Sequence, residues 1–217
     1  YGLGLSGKSS FNYLKKNNKI KVYDDNFKNI INKKFKKYFI KKDQVQRNFF
    51  DFIILSPGIN YKTCSLSDFL RKNKSKICTD LDIFFLNNYK NKIITVTGTN
   101  GKSTTVKLVS EILKNSGRDA RSVGNIGKSI LNETKIKKKT IFVIEASSYQ
   151  IEYSKFFKSK YSILLNISTD HIERHGNFQN YLKAKLKLFY KKTKNDYAFL
   201  NNKNLTINRA IKKNKIK

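Results

Sequence analysis

The stretch KIITVTGTNGKSTTVKLVSEILKNSG, residues 92–117, constrains the fold more than any other part of the chain. Its first seven residues form a β-branched run that predicts a buried strand, and a glycine-rich turn follows. The apolar residues after that turn recur at helical spacing: Val106, Val109, Ile112 and Leu113. Gly117 is the predicted C-cap of this helix. A strand that leads through a glycine loop into a helix is the repeating unit of parallel α/β sheets.

The rest of the chain repeats this alternation of strands and helices. Strands are predicted at 20–25, 51–58, 140–147, 161–168 and, more weakly, 196–202. Helices are predicted after the opening glycines, at 80–90 and at 178–192. Short apolar strands that alternate with helices favour parallel sheets with crossover connections. We therefore expect two α/β units, an N-terminal Rossmann-like domain over 1–90 and a P-loop ATPase-type domain over 91–217.

Two glycine loops compete for the role of phosphate loop. The opening YGLGLSGKSS satisfies the dinucleotide fingerprint through Gly2, Gly4 and Gly7, and it also satisfies the pattern G-x-x-x-x-G-K-S. The second loop, GTNGKST at 98–104, has Val96 where that pattern requires glycine. However, the second loop follows a clear strand and begins a clear helix, which is the setting that such a loop needs. It is therefore the predicted site for nucleotide phosphates.

Polar residues that follow other strands are expected to lie beside this loop, because ligands bind beyond the carboxyl ends of parallel strands. Lys102 would supply a positive charge and Ser103 a magnesium ligand. Glu145 ends one strand, and Asp170 and His171 follow another. An acid and a neutral imidazole near a phosphate loop suit magnesium or water, although either could also be a satisfied structural residue.

Two further features allow more than one interpretation. HIERH, residues 171–175, has the spacing of two zinc-binding histidines, but its glutamate is misplaced for a metalloprotease and the stretch is predicted to be a loop. Lys185 lies about 60° from the apolar stripe of Leu182, Leu186 and Phe189 when residues are placed at about 100° each. From this geometry alone, snorkelling to solvent is the favoured interpretation, and a functional role is the alternative.

The net charge of +31 raises the question of a nucleic-acid partner. Lysine, asparagine and isoleucine are enriched together over the whole chain and arginine is scarce, so we expect a solvated surface without a dedicated nucleic-acid site. Cys64 and Cys78 belong to no metal-spaced cluster, which favours a reducing compartment. No apolar run approaches the roughly 20 residues that span a bilayer. We therefore expect a cytoplasmic protein that does not contact a membrane and that is a monomer.

Seven stretches together resemble the Mur ligase superfamily, the ATP-dependent amide ligases of peptidoglycan precursor synthesis. They are GLGLSGKS, ILSPGI, TVTGTNGKST, VGNIGKS, IEASSYQIE, LLNISTDHIERHG and YLKAKLKLF. The opening loop, SPGI and SSYQ resemble most the member that adds D-glutamate to UDP-N-acetylmuramoyl-L-alanine. The resemblance implies an acyl-phosphate intermediate, a UDP-sugar at the opening loop, and a further C-terminal ligase domain that lies outside this chain. It also implies that this piece alone does not turn over.

The resemblance also implies residue roles. ATP and Mg²⁺ would be bound at Gly98, Thr99, Asn100, Gly101, Lys102, Ser103 and Thr104. Further metal ligands would be Glu145, His171 and Lys185, the last as a carbamate, and the catalytic set would be Lys102, His171 and Lys185. The UDP-sugar substrate would contact Leu5, Ser6, Gly58, Asn125, Ser147 and Gln150. Another Mur-type ligase, a basic nucleic-acid-binding P-loop ATPase and a nicotinamide oxidoreductase built on the opening glycines are the alternatives.

Overall fold

The structure, a computed structural model, describes residues 1–26, 33–125, 128–190 and 192–213. Its architecture is α/β, as predicted, and all strand pairs of its two sheets are parallel. No helix in these described ranges is both long enough and apolar enough to cross a membrane. The predicted domain boundary at residue 90 stays a prediction.

The first ninety residues form a small sheet surrounded by short helices. In chain order the elements are α1 (Leu5–Leu14), α2 (Lys33–Lys36), α3 (Lys42–Arg47), β1 (Ile53–Ile54), α4 (Ser67–Lys72), β2 (Ile77–Cys78) and α5 (Asp80–Asn88). The two strands pair with each other. The strand predicted at 51–58 is thus reduced to β1, and the strand predicted at 20–25 is reduced to one parallel bridge between Val22 and Phe39. The Asp24 carboxylate accepts two backbone N–H groups there and turns the chain.

The second part of the chain forms a five-stranded sheet. Its elements are β3 (Lys92–Thr97), α6 (Lys102–Asn115), β4 (Ala120–Gly124), β5 (Ile141–Glu145), α7 (Ser148–Tyr153), β6 (Tyr161–Leu164), α8 (Ile172–His175), α9 (Phe178–Leu186), β7 (Tyr197–Leu200) and α10 (Leu205–Lys213). The strand order is β4-β5-β3-β6-β7. β4 escaped prediction because its sequence, ARSVG, has no continuous apolar run and only Ala120 and Val123 are buried.

The strand order creates a crevice at the carboxyl end of β3. The chain leaves β3 toward β4 on one side of the sheet, whereas it leaves β6 toward β7 on the other side. β3 and β6 are neighbours, paired from Ile94 with Tyr161 to Thr97 with Leu164. The loops after these two strands therefore diverge, and ligands of open α/β sheets bind at such a switch point.

The buried face of α6 differs from the predicted one. Val106 is fully buried, and Val109 and Leu113 pack against the cluster that it forms with β3 and β5. Ile112 is 58% exposed, so its assignment to this face was wrong. At about 100° per residue Ile112 lies about 120° from Val106, whereas Ser110 lies about 40° away and is buried instead.

Two helices frame the sheet. α5, predicted as a connecting helix, packs on the large sheet, where the rings of Phe84 and Phe142 meet edge to face at 4.7 Å between centroids. α9 is shorter than predicted: it ends at Leu186, and a 3₁₀ turn follows at Lys187–Phe189. Its apolar stripe is buried as predicted, with Phe189 contributed by the 3₁₀ turn. The C-cap of α6 is Ser116, one residue before the predicted position, and Gly117 follows it in a left-handed conformation that closes the end of the helix.

Candidate functional site

The loop between β3 and α6 is the centre of the site. Gly101 has φ of +80°, a left-handed conformation that glycine adopts without strain, and α6 begins directly after it. The Lys102 ammonium turns back into the loop and donates to the carbonyl oxygens of Gly98 at 3.0 Å and Thr99 at 2.7 Å. The predicted phosphate loop is therefore a closed turn around a lysine, at the N-terminus of a 14-residue helix.

Asn166 holds this loop from the opposite wall of the crevice. Its Oδ1 accepts from the backbone N–H groups of Thr99 at 3.1 Å and Asn100 at 2.9 Å, and its Nδ2 donates to the Asn100 carbonyl at 3.1 Å. Asn166 was not among the predicted site residues. Its signal was an amide that interrupts the apolar run LLNIS just after β6.

Glu145 gathers two other predicted residues at the end of β5. Ser103 Oγ donates to Glu145 Oε2 at 2.6 Å, and Asn125 Nδ2 donates to Glu145 Oε1 at 3.2 Å. The carboxylate belongs to a residue that is 3% exposed. β4 can approach β5 this closely because Gly124 has no side chain; a Cβ there would overlap the Glu145 backbone. A buried carboxylate beside a hydroxyl forms an oxygen pair of the kind that hard divalent cations bind.

Lys185 is buried against the same loop. Its Nζ donates to the Gly98 carbonyl at 2.9 Å and lies 3.4 Å from Thr97 Oγ1, and the residue is 2% exposed. Burial, reinforced by the positive charge of Lys102, lowers the pKa of Lys185 to about 7. The geometric expectation that Lys185 snorkels to solvent was wrong, because the flank of α9 faces the end of β3 rather than water.

His171 lies at the outer edge of this group. Its backbone φ of +52° is left-handed, which costs a residue with a Cβ about 1 kcal/mol. Its ring lies 5.0 Å from the Tyr149 ring and 6.1 Å from the Tyr181 ring, between centroids. The Lys185 ammonium lies 4.7 Å from the centre of the same Tyr181 ring, and the Tyr181 hydroxyl is 3.1 Å from Thr99 Oγ1. Tyr181 thus links His171 and Lys185 to the loop.

The HIERH stretch is a short helix, α8, and not the predicted loop. The His175 side chain packs this helix onto α7 and α9, with its ring 5.4 Å from the Tyr149 ring and 5.4 Å from the Tyr181 ring, between centroids. His175 is 2% exposed, and its Nε2 is 3.0 Å from Ser148 Oγ. Burial lowers the pKa of His175 to about 4, so its imidazole is neutral. In the described ranges no group of three or more His, Cys, Asp or Glu side chains could hold a metal ion by itself.

Two predicted substrate residues, Gln150 and Ser6, contact a buried acid that was not predicted as a site residue, and a third, Ser147, contacts Gln150. Ser147 caps α7 by accepting from the Gln150 N–H at 3.2 Å. Gln150 Nε2 donates to both oxygens of Asp80, at 3.1 and 3.2 Å, and the Ser6 side chain also hydrogen-bonds that carboxyl group. Burial raises the pKa of Asp80. One carboxyl group therefore joins the N-terminal ends of α1, α5 and α7.

The other predicted substrate residues lie at the surface beside this junction. Leu5 is 81% exposed at the start of α1, and Gly58 is exposed in the loop after β1. That loop contacts the opening loop, because Ser56 Oγ donates to the Gly2 carbonyl at 2.7 Å. The structure therefore brings the start of α1, where Leu5 lies, and the loop that carries Gly58 together through the opening loop.

Comparisons with known proteins agree with this arrangement. The Mur ligase middle domain family matches residues 96–217. The chain is 37% identical over 207 residues to the UDP-N-acetylmuramoylalanine--D-glutamate ligase of Rickettsia bellii (strain RML369-C), covering 93% of this chain and 45% of the relative. It is 38% identical over 193 residues to the enzyme of the same name from Wolbachia pipientis wMel, covering 87% and 38%. The chain thus spans less than half the length of these curated relatives.

A solved structure shares the fold. The crystal structure of UDP-N-acetylmuramate:L-alanyl-gamma-D-glutamyl-meso-diaminopimelate ligase from Neisseria meningitides aligns with a TM-score of 0.54 and 13% identity. The alignment covers 89% of this chain and 65% of the other. At this identity the likeness concerns the fold, and it confirms the α/β class.

Proposed function

This chain belongs to the Mur ligase family, and from that premise we propose that it forms part of an ATP-dependent amide ligase. The proposed enzyme adds D-glutamate to UDP-N-acetylmuramoyl-L-alanine during peptidoglycan precursor synthesis in the cytoplasm. The names of the most similar curated relatives support this choice of substrates. The observation that carries the proposal is the convergence of Lys102, Ser103, Glu145 and Lys185 on one glycine loop at the switch point.

ATP is the proposed nucleotide, with its phosphates at Gly98–Thr104. Lys102 already reaches the mouth of the loop, where a phosphate oxygen can replace the carbonyl acceptors that it now uses. The N-terminus of α6 favours negative charge at the same place. Lys102 and the helix would therefore offset the charge that develops during phosphoryl transfer.

The residues present fit magnesium as a cofactor. Ser103 and Glu145 would hold one ion through a hydroxyl and a carboxylate, and phosphate oxygens and water would complete its coordination, as is usual for Mg²⁺. When bound, the ion would neutralise charge on the phosphates. His171 and Lys185 are the proposed contacts for a second ion.

Lys185 would serve that second site as a carbamate. Its lowered pKa leaves a large fraction of the amine unprotonated near neutral pH, and a neutral amine attacks carbon dioxide. A new N–C bond forms, one proton leaves, and the product carries a negative charge in place of the ammonium. The flank of α9 would thereby supply a carboxylate-like ligand beside Thr97 and Gly98.

The proposed reaction has two steps. The terminal alanine carboxylate attacks the γ-phosphorus of ATP, which forms an acyl phosphate and releases ADP. The amine of D-glutamate then attacks the acyl carbon, which forms the amide, displaces inorganic phosphate and loses a proton. Leu5, Ser6 and Gly58 would hold the uridine diphosphate end of the substrate, and Asn125, Ser147 and Gln150 would lie toward its alanine end.

Isothermal titration calorimetry of this chain tests the proposal. At physiological salt we expect 1:1 binding of UDP-N-acetylmuramoyl-L-alanine and of ATP with magnesium, and no stoichiometric binding of NAD or of a single-stranded oligonucleotide. Saturable NAD binding without UDP-sugar binding would establish an oxidoreductase-type site. Oligonucleotide binding that stays saturable and stoichiometric at physiological salt, without UDP-sugar binding, would instead support a nucleic-acid ATPase and overturn the proposal.

A further inference from the structure

The guanidinium of Arg174 lies between the loop after β1 and the helices α7 and α8. Its Nη2 has two hydrogens, which it donates to the Ile59 carbonyl oxygen and to the Tyr153 hydroxyl at 2.7 Å, and the Pro57 carbonyl oxygen shares one of them at the longer distance of 3.3 Å. The guanidinium carbon lies 5.0 Å from the centre of the Tyr149 ring and 5.3 Å from that of Tyr153. One side chain therefore joins the first part of the chain to the second across 115 to 117 residues of sequence.

Each end of this connection is next to a residue of the proposed site. Pro57 and Ile59 flank Gly58, the predicted contact of the UDP-sugar. On the other side, the backbone N–H of Arg174 donates to the carbonyl of His171, the N-cap of α8, at 3.2 Å. The Arg174 side chain thus fixes the loop that carries Gly58 relative to the short helix that begins directly after His171.

Arginine suits this place for physical reasons. Its planar guanidinium can stack on aromatic faces while its N–H groups donate in the plane, whereas an ammonium presents a compact charge. Tyr149 and Tyr153 supply the faces, and two backbone carbonyls and a phenol supply the acceptors. Tyr153 is itself packed edge to face on Tyr61 of the first part, at 5.4 Å between centroids. The contacts of Arg174 therefore require the planar geometry of a guanidinium as well as its positive charge.

We propose that Arg174 is a positioning residue that holds the Gly58 loop in register with His171, so that the UDP-sugar and the nucleotide bind on one rigid scaffold. The part of this proposal that concerns the UDP-sugar rests on the proposed function. The part that concerns the loop does not, because it follows from the contacts of Arg174 alone.

The first test measures the loop without any ligand. Arg174→Met and Arg174→Lys are compared with the native chain by hydrogen exchange of the backbone amides at 58–61. Both variants should accelerate exchange there by about 10-fold or more, since a lost anchor of about 1.4 kcal/mol corresponds to a factor of ten. Amides of β3 should be unaffected. Arg71→Met, which removes an exposed arginine paired with Asp68, is the matched control and should change neither region.

The second test measures binding by calorimetry in the same variants. Loss of Arg174 should weaken UDP-N-acetylmuramoyl-L-alanine binding by about 10-fold and leave MgATP binding within about 2-fold, a split that general destabilisation would not produce. Unchanged exchange at 58–61 would overturn the proposal. Accelerated exchange with unchanged UDP-sugar affinity would overturn the positioning role, as would full rescue by Arg174→Lys. If the native chain binds no UDP-sugar, the proposed function fails and the exchange result alone decides the role of Arg174.

Discussion

The two glycine loops share a motif and use it differently. The opening loop requires glycine for backbone conformation at Gly2, whose φ is +89°, and for space at Gly7, where a Cβ would overlap the Gly2 carbonyl. An acid accepts from this loop, because the Leu3 N–H donates to the Asp24 carboxylate at 2.5 Å. In the second loop, glycine is required by backbone conformation, and a neutral amide, Asn166, accepts the loop N–H groups. The negative charge of the Asp24 carboxylate would repel a phosphate at the opening loop, whereas the neutral Asn166 amide adds no such repulsion at the second loop.

The lysines of the two motifs also differ. Lys8 is exposed on α1, whereas the Lys102 ammonium turns into its own loop and shares the Gly98 carbonyl with Lys185. The residue next to it, Ser103, donates to Glu145. The sequence that matches the phosphate-loop pattern in full therefore lacks the surroundings that the imperfect match has. A sequence motif gives the positions of the glycines and of the lysine, but the residues on the neighbouring strands determine what that lysine can contact.

The largest expected effect separates these two lysines. Lys102→Met should weaken MgATP binding by about 100-fold, because a charge-assisted contact to phosphate contributes up to about 3 kcal/mol. Lys8→Met, its matched control, should change the affinity by less than about 2-fold. Calorimetric titration of both variants checks this. Equal losses, or a greater loss in Lys8→Met, would move the ATP site to the opening loop.

The sequence predicted the second loop well because its determinants are local. The strand β3, the glycine turn and α6 lie within 26 consecutive residues, and each has its own pattern. The convergence of Glu145 and His171 on the loop was also predictable in outline, because the carboxyl ends of parallel strands share one edge of a sheet. The roles of these residues remain predictions.

Residues that act across the fold were not predictable in the same way. Asp80 meets Gln150 from 70 residues away, and Arg174 meets Pro57 from 117 residues away. Neither partner carries a local signal, since an acid at a helix start and an arginine near a histidine are common on surfaces. The burial of Lys185 likewise depends on how α9 packs against the rest of the fold, and a helical wheel gives no information about that packing.

A second prediction concerns the steric requirement for glycine at position 7 of the opening loop. Gly7→Ala should lower the free energy of unfolding by about 2 kcal/mol, because the new Cβ meets a backbone carbonyl that cannot move aside. Gly4→Ala is the matched control: a Cβ there meets no atom within 4 Å, and the expected cost is about 0.5 kcal/mol from the weaker N-cap. Urea unfolding followed by circular dichroism measures both. Similar costs for the two variants would show that space does not select Gly7.

The smallest effect concerns the buried amine behind the second loop. Between the folded pKa of Lys185, about 7, and its ordinary value of 10.5, the side chain is neutral in the folded chain and protonated in the unfolded one. Unfolding then takes up a proton, so this residue makes the free energy of unfolding rise with pH by up to about 1.4 kcal/mol per unit. Below pH 7 both states are protonated and the contribution of Lys185 no longer changes with pH.

Lys185→Met isolates this contribution, because it retains the apolar stem and removes the titrating group. Urea unfolding at pH 7, 8 and 9 in buffer free of carbon dioxide should give a steeper rise with pH for the native chain than for the variant. The difference between the two curves cancels the titration of the other lysines. Parallel curves would mean that the Lys185 amine keeps its proton in the folded state. The group buried against the second loop would then be a charged ammonium and not a neutral amine.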